Sequence, residues 1–370
     1  MEKVKLTDIC RPKQWKTISG DEISSEGKYP VYGANGKMGF FHEYNHIDET
    51  LLIGCRGTCG TLHITEKFSY TNGNAMALDN LDKKANIKFL YYFFSKRGFN
   101  DVVSGGVQKQ ITIQNLQRIE IPLPNLATQQ RIAAILDQAD AIIQNNRAIV
   151  QKYDALTQSL FLDMFGDPVK NEKGWEMKFL GDLCDVGSSR RVFVDELVEN
   201  GIPFYRGTEI GQMSIEDNIT PTLFITEEHY EKLKKETGVP KIGDLLMPSI
   251  CPDGRIFEVT NDKPFYFKDG RVLWIKVNDG IINSVYLKKY LKAIFAIDYG
   301  KIASGTTFAE LKIFALKKIN LHYPPIQLQN LFAERVAVIE AQKQQAQLEL
   351  AKSEKLFNSL LQRAFKGELN

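Results

Sequence analysis

The side chains with the greatest chemical capacity in this sequence are amides and cations set on glycine-rich turns. Asn35 and Lys37 lie in YGANGKMG, Arg56 in GCRGTCG, Asn72 and Asn74 in YTNGNA, and Gln108 and Lys109 in SGGVQKQ. Further along, Arg190 and Arg191 lie in GSSRR, Arg206 in FYRGTE, Ser249 and Arg255 in PSICPDGR, and Lys301 in YGKIASG. Groups of this kind donate or accept hydrogen bonds, several of them in pairs, and small neighbours let the backbone approach an anion closely. The chemistry they offer is binding, although the same residues also suit turn geometry.

Bond-making chemistry is poorly supported. The single Pro-Pro pair, in YPPI at Tyr323 to Ile326, lacks the preceding Asn or Asp of an amino-methyltransferase signature. No strand-to-helix GxGxxG suited to a nucleotide cofactor occurs, and GANGK at Gly33 to Lys37 is too short for a Walker loop and has no Ser or Thr after its lysine. His42 and His46, then Cys55 and Cys59, form two pairs of zinc-type ligands. Their order is inverted relative to common fingers, and a buried cysteine more often acts as a small hydrophobe, so no metal is expected.

Composition bounds the scaffold. A chain of 370 residues, 43% hydrophobic and 25% charged, is an ordinary globular sequence with room for two or three domains. The start, MEKVKLTDIC, has no apolar h-region, and no later run reaches the roughly 20 apolar residues of a membrane span, so a cytoplasmic protein is expected. Five cysteines fit reduced thiols. A net charge of +2 means that any polyanion would have to be held by local patches.

The elements that must position these turns are organised by a repeat. Adding 200 to the numbers of Gly105, Ile113, Leu116, Ile119, Pro124, Gln129, Leu156, Ser159, Leu160 and Phe165 lands on Gly305, Ile313, Leu316, Ile319, Pro324, Gln329, Leu356, Ser359, Leu360 and Phe365. No insertion breaks that register, and the repeat carries a long helical stretch, first from Thr128 to Phe165 and then to the chain's end. VKLTDIC at Val4 has a cousin, FLGDLCDV, at Phe179. The order is globular segment (1–126), helix (127–166), globular segment (167–326), helix (327–370). The first segment has strand and turn signals with one helix, Ala85 to Phe99; the second has the same grammar, with helices in EEHYEKLKKE and NSVYLKKYLKAIFAI, but shares few words with the first. In the aromatic helix Phe89, Tyr92 and Phe93 are expected to pack, and Lys288, Lys289 and Lys292 suit phosphate or a solvated face.

Each long helix carries one narrow apolar seam at four-three spacing. In the first it is Ile132, Leu136, Ala139, Ile143, Val150, Tyr153, Leu160 and Met164, interrupted by Asn146; in the second it is Phe332, Val336, Ile339, Ala346, Leu350, Phe357, Leu360 and Ala364, interrupted by Lys343 and Ser353. At ~38 residues, or about 57 Å, each is longer than a small domain needs, and pairing the two buries both seams. Connectivity makes the pair antiparallel. Gly166-Asp167-Pro168 should stop the first helix, and Thr128 is its candidate N-cap. The expected fold class is α+β: two α/β domains separated by two long helices that form an antiparallel coiled coil, with a pseudo-two-fold internal repeat.

IPLPNLATQQRIAAILDQAD at Ile121 to Asp140, YPVYGANGKMGF at Tyr29 to Phe40 and the C-terminal LFNSLLQRAFKGEL resemble the specificity subunit of type I restriction-modification systems, and the resemblance covers essentially the whole chain. It implies that the globular segments are target recognition domains, each reading half of a split double-stranded DNA sequence, and that the helices set the gap and bind methyltransferase subunits, two of them, with restriction subunits joining through the complex. The chain itself would be non-catalytic and hold no cofactor; S-adenosylmethionine, ATP and Mg would belong to partner subunits. The turn residues named above then become DNA-contact candidates, because Arg, Lys, Asn and Gln suit base edges and phosphates. The competing readings are a coiled-coil scaffold displaying two protein-binding modules, and a stand-alone DNA-modifying enzyme.

Overall fold

A computed structural model describes residues 3–215, 219–303 and 309–369; Gly305 lies outside the described residues. The chain divides into two compact units, Met1–Ile149 with Ala346–Asn370, and Val150–Gln345.

In the first unit the strand Lys3–Lys5 pairs antiparallel with Glu120–Pro122, and the Leu6 N–H donates to the Ile119 carbonyl at 3.0 Å. In the second, Glu176–Phe179 pairs with Asn320–Tyr323 and the Leu180 N–H donates to Ile319 at 2.9 Å. The two related motifs, VKLTDIC and FLGDLCDV, thus close their units in the same way. Both carry a buried cysteine, Cys10 and Cys184, and burial pushes each thiol up to about 12. All five cysteines are free.

Beyond these closures the sequences diverge, yet the topology does not. The first unit holds a four-stranded antiparallel sheet ordered Arg11–Gln14, Ala75–Asp79, Leu51–Gly54, Leu62–Ile64. The second repeats that order with Asp185–Gly187, Val272–Lys276, Leu245–Pro248 and Phe257–Glu258. Each unit adds a three-stranded sheet with one antiparallel and one parallel pairing: Gly36–Phe41, Tyr29–Gly33 and Tyr70–Thr71 in the first, Phe224–Ile225, Ile202–Tyr205 and Tyr266–Phe267 in the second. The two segments thus share a strand order, the common grammar expected of them, although they have few words in common. A sheet fixes only which positions face the core, so residue identity drifts while strand order persists.

One helix in each unit packs against the start of a long helix. The first, Ile87–Arg97, begins later than the sequence suggests because Asn86 caps it, accepting from the Phe89 N–H at 3.0 Å. Phe89, Tyr92 and Phe93 are buried, as expected of a packing face. Its counterpart, Ser284–Ile302, runs past the expected end and is capped by Asn283. The short helix Gly207–Met213 forms where the sequence suggests only a turn.

The long helices span Leu126–Phe165 and Ile326–Lys366. The first is capped by Asn125, whose Oδ1 accepts from the Thr128 N–H at 2.9 Å, so Thr128 is the third helical residue and not the cap. It stops at Gly166, with φ +82° and an N–H donating to Leu162. In the first unit Ile132 and Leu136 share a core with Leu361, Ala364, Phe357 and Leu360. Asn146 Nδ2 donates to Ser353 Oγ at 3.3 Å, and Arg147 Nη2 lies 2.7 Å from Glu354 Oε1. In the second, Phe161, Met164 and Phe165 share a core with Phe332 and Val336, and Lys343 reaches Asp154 at 2.6 Å. These partners run in opposite chain directions within each unit, as antiparallel pairing requires. Ile143 is buried, while Val150, Tyr153, Ile339 and Leu350 are half-buried along the seam. Toward the module ends the buried face turns by one residue, to Phe161 and Leu361 rather than Leu160 and Leu360. There a third helix joins: Phe165 meets Tyr286 at 4.6 Å and Phe89 meets Phe365 at 5.3 Å between ring centroids.

Candidate nucleic-acid interface

In the first unit, glycine-rich segments distant in sequence are stitched together by backbone hydrogen bonds. The Cys55 and Arg56 N–H groups both donate to the Asn74 carbonyl, at 2.9 and 3.2 Å. The Ile111 N–H donates to the Cys55 carbonyl at 3.0 Å, and Arg56 bridges Gln110. Cys59 Sγ donates to Lys109 O at 3.2 Å, and Thr61 Oγ1 donates to the Ala34 carbonyl, which His63 Nε2 also approaches at 3.2 Å. Asn35, Arg56, Asn74, Gln108 and Lys109 are therefore brought to neighbouring loops, and all are exposed. Gly105 has φ +94°, and a Cβ there would lie 2.2 Å from the Gln108 carbonyl oxygen, so only glycine closes the loop that presents Gln108 and Lys109. Lys37 is tied to Glu66 at 2.9 Å, and that carboxylate, which Lys37 and Tyr32 hold below the usual range, is part of the same edge.

Asn72 is different. It is buried, and its amide donates to the Ile18 carbonyl at 3.4 Å, so it holds its loop from inside, away from the surface where a base would be met.

The second unit uses the same stitching. The Ser249 N–H donates to the Arg271 carbonyl at 2.9 Å and the Leu311 N–H donates to the Ser249 carbonyl at 2.7 Å. Ser249 thus occupies the place of Cys55, Arg271 that of Asn74, and Leu311 that of Ile111. Ser249 is buried, so it too positions its neighbours, through its backbone bonds to Arg271 and Leu311, instead of facing solvent. The other expected cations here are paired with carboxylates, Arg255 half-buried and the rest exposed: Arg190 with Glu236 at 2.9 Å, Arg191 with Asp269 at 3.2 Å, Arg255 with Asp253 at 2.8 Å, Lys301 with Asp298 at 2.6 Å, and Arg206 with Glu209 across one helical turn. Arg255 and Arg271 are brought to the edge of the helix Gly207–Met213, where Gly211 and Gly207 leave room for them. Arg190 and Arg191 follow Ser188 and Ser189, whose hydroxyls donate to Val272 and Phe267.

Arg271, Glu310 and Lys312 are absent from the sequence-based candidates. Arg271 Nη1 lies 3.5 Å from Glu310 Oε1, and Lys312 pairs with the other oxygen of the same carboxylate. Together with Ser249 they hold Glu310 below the ordinary carboxylate range, Lys312 first. The signal was present: Gly270-Arg271 precedes its strand as Gly73-Asn74 precedes its own. The lysines of the Ser284–Ile302 helix are partly withdrawn, Lys288 pairing with Glu258 and Lys289 with Glu340, and burial lowers the ammonium pKa of Lys289 and Lys292. His42 is exposed beside Glu43 and Cys55 is buried, and among the described residues no three His, Cys, Asp or Glu side chains converge as a metal site. No helix among the described residues is long and apolar enough to cross a membrane.

A family model described as the type I restriction modification DNA specificity domain matches residues 1–152 and 172–350. A putative type I restriction enzyme specificity subunit of Haemophilus influenzae is 26% identical over 323 residues, covering 82% of this chain and 78% of that protein. A type I restriction enzyme specificity subunit of Methanocaldococcus jannaschii is 25% identical over 347 residues, covering 86% of this chain and 77% of that protein. The crystal structure of a type I restriction-modification S subunit from M. genitalium covers 98% of this chain and 96% of its own, with a TM-score of 0.62 at 18% identity, a likeness of fold.

Proposed function

This chain belongs to the type I restriction-modification DNA specificity family, and on that premise we propose that residues 1–126 and 167–326 each read one half of a bipartite duplex target. As a specificity subunit it recognises the DNA target within a restriction-modification complex, and it is not the catalytic or cofactor-bearing component. The helices 127–166 and 327–370 set the gap between half-sites and dock two methyltransferase subunits, with restriction subunits joining through that complex. Methyl transfer and cleavage, and with them S-adenosylmethionine, ATP and Mg, belong to those partners, and the assembly works in the cytoplasm, where its DNA target would lie.

The observation that supports this reading best is the repeated stitching of Cys55, Asn74 and Ile111, and of Ser249, Arg271 and Leu311, into one polar edge per unit on the same strand order. Two unlike sets of side chains on matched frames suit two unlike half-sequences. In the first unit the contacts fall to Asn35, Lys37, Arg56, Asn74, Gln108 and Lys109; in the second to Arg190, Arg191, Arg206, Arg255 and Lys301, with Asn72 and Ser249 holding loops in place. The test is binding of the chain with its methyltransferase partner to duplex DNA across a salt series. The expected result is a steep linear fall of log affinity with log salt and retention of one bipartite sequence. Salt-insensitive or absent binding would favour a protein-binding scaffold, and methyl transfer by the isolated chain would favour an enzyme.

A further inference from the structure

The matched stitching makes individual positions comparable between two units whose recognition loops differ in sequence. Asn74 and Arg271 supply the carbonyl that receives the Cys55 and Ser249 N–H groups. Gln110 and Glu310 each immediately precede the residue, Ile111 or Leu311, whose N–H returns to Cys55 or Ser249. The first unit therefore presents the amide pair Asn74 and Gln110, and the second presents a cation and a carboxylate, Arg271 and Glu310. Asn74, Gln110 and Arg271 are exposed, and Glu310 retains partial exposure.

A carboxylate on a face that meets a duplex is repelled by phosphate; Lys312 and Arg271 offset that charge here, and Oε1, 3.5 Å from the nearest Arg271 nitrogen, keeps lone pairs with which to accept from a base. In the major groove the cytosine N4 amine is a suitable donor, and the guanidinium fork matches guanine O6 and N7. Guanine O6 and cytosine N4 are partners in one base pair, ~3 Å apart as hydrogen-bonded atoms are. Arg271 Nη1 and Glu310 Oε1 stand 3.5 Å apart, with the second oxygen of Glu310 held by Lys312. Resting on the DNA-reading function above, we propose that Arg271 and Glu310 together read a single G·C pair in the half-site of the second unit, Arg271 donating to guanine and Glu310 accepting from cytosine. The equivalent amides of the first unit, Asn74 and Gln110, are the side-chain types that match adenine N6 and N7. The same frame thus carries a G·C reader in one unit and an A·T reader in the other.

The test selects target sequences from a randomised duplex pool with the full-length chain and its methyltransferase partner, for wild type, E310Q, R271N, R271K and the double variant R271N/E310Q, with thermal melts as a check on folding. Wild type should select a bipartite sequence containing a G·C pair that E310Q and R271N weaken by about tenfold at one position. The other half-site and the gap should not change, and the double variant should move that position toward A·T. R271K keeps the charge and the fold but lacks the fork, so it should keep the salt dependence while losing discrimination at the same position; it decides the matter should E310Q or R271N not fold. Folded variants that select the wild-type sequence at full strength, or that alter both half-sites, would overturn the proposal. A wild-type chain that selects no bipartite sequence would instead overturn the DNA-reading function on which the proposal rests.

Discussion

Gln129 and Gln329 show how one residue type can be needed twice for one reason. Both are fully buried. The Oε1 of Gln129 accepts from the Asn86 N–H at 2.8 Å and that of Gln329 from the Asn283 N–H at 2.9 Å, while each Nε2 donates to the carbonyl of Pro124 or Pro324. Each glutamine ties the cap of a module helix to the first turn of a long helix, and its loss leaves buried polar groups without partners. Q329A should cost about 2 kcal/mol in denaturant unfolding, and a loss near zero would contradict this role. His46 supplies a second residue-scale prediction. It is buried beside Asp79, at 3.5 Å, with the Trp15 ring edge-on, and burial, with Lys13 nearby, pushes its imidazole down to about 4. The unfolded chain, titrating near 6.5, then binds more protons than the folded one between those values, so stability falls as pH drops through that window. The expected loss from pH 7 to pH 5 is about 2 kcal/mol, read as a shift in denaturation midpoint, and H46Q should flatten the slope. An unchanged pH dependence in H46Q would show that other groups govern it.

At the scale of elements, the helix seam is narrow and polar at selected places. Asn146 meets Ser353, and Arg147 meets Glu354. An apolar seam alone tolerates slippage by whole heptads, whereas a polar pair inside it penalises every register but one. N146L should therefore raise the thermal midpoint while broadening the range of half-site gaps accepted, measured by selection on duplexes of varied spacing. Seven residues inserted at matched places in both helices, within 139–151 and its counterpart, keep the seam in phase and lengthen each helix by ~10.5 Å. The preferred gap should then increase by up to about three base pairs, with both half-sequences unchanged. An altered half-sequence would sink the assignment of spacing to the helices.

At the scale of the whole molecule, the two units carry their polar edges on equal frames, with different charge balance. In the second unit Arg190, Arg191, Arg206, Arg255, Arg271 and Lys301 each have a carboxylate partner, whereas in the first Lys37 is paired and the amides Asn35, Asn74 and Gln108 are neutral. Replacing residues 1–126 by the first module of another family member should change one half-site and leave the other intact, as read by methylation mapping with partner subunits. A change in both halves would refute modular reading.

The sequence by itself determined the internal repeat, the long helices and their stop at Gly166, the packing role of Phe89, Tyr92 and Phe93, and the family. These depend on periodicity and local backbone preference, which a linear pattern records directly. Only the tertiary structure decided which turn residues share an edge, because hydrogen bonds joining Cys55 to Asn74 and to Ile111 are made between segments that no local pattern links. It also separated Asn72 from Asn74: two residues apart on one turn, one is buried against Ile18 and the other exposed, although their composition and spacing make them equal candidates. Arg271 and Glu310 meet for the same reason. Their pairing is fixed by strands brought together across the fold, where backbone geometry sets which side chains meet and the amino-acid alphabet alone does not.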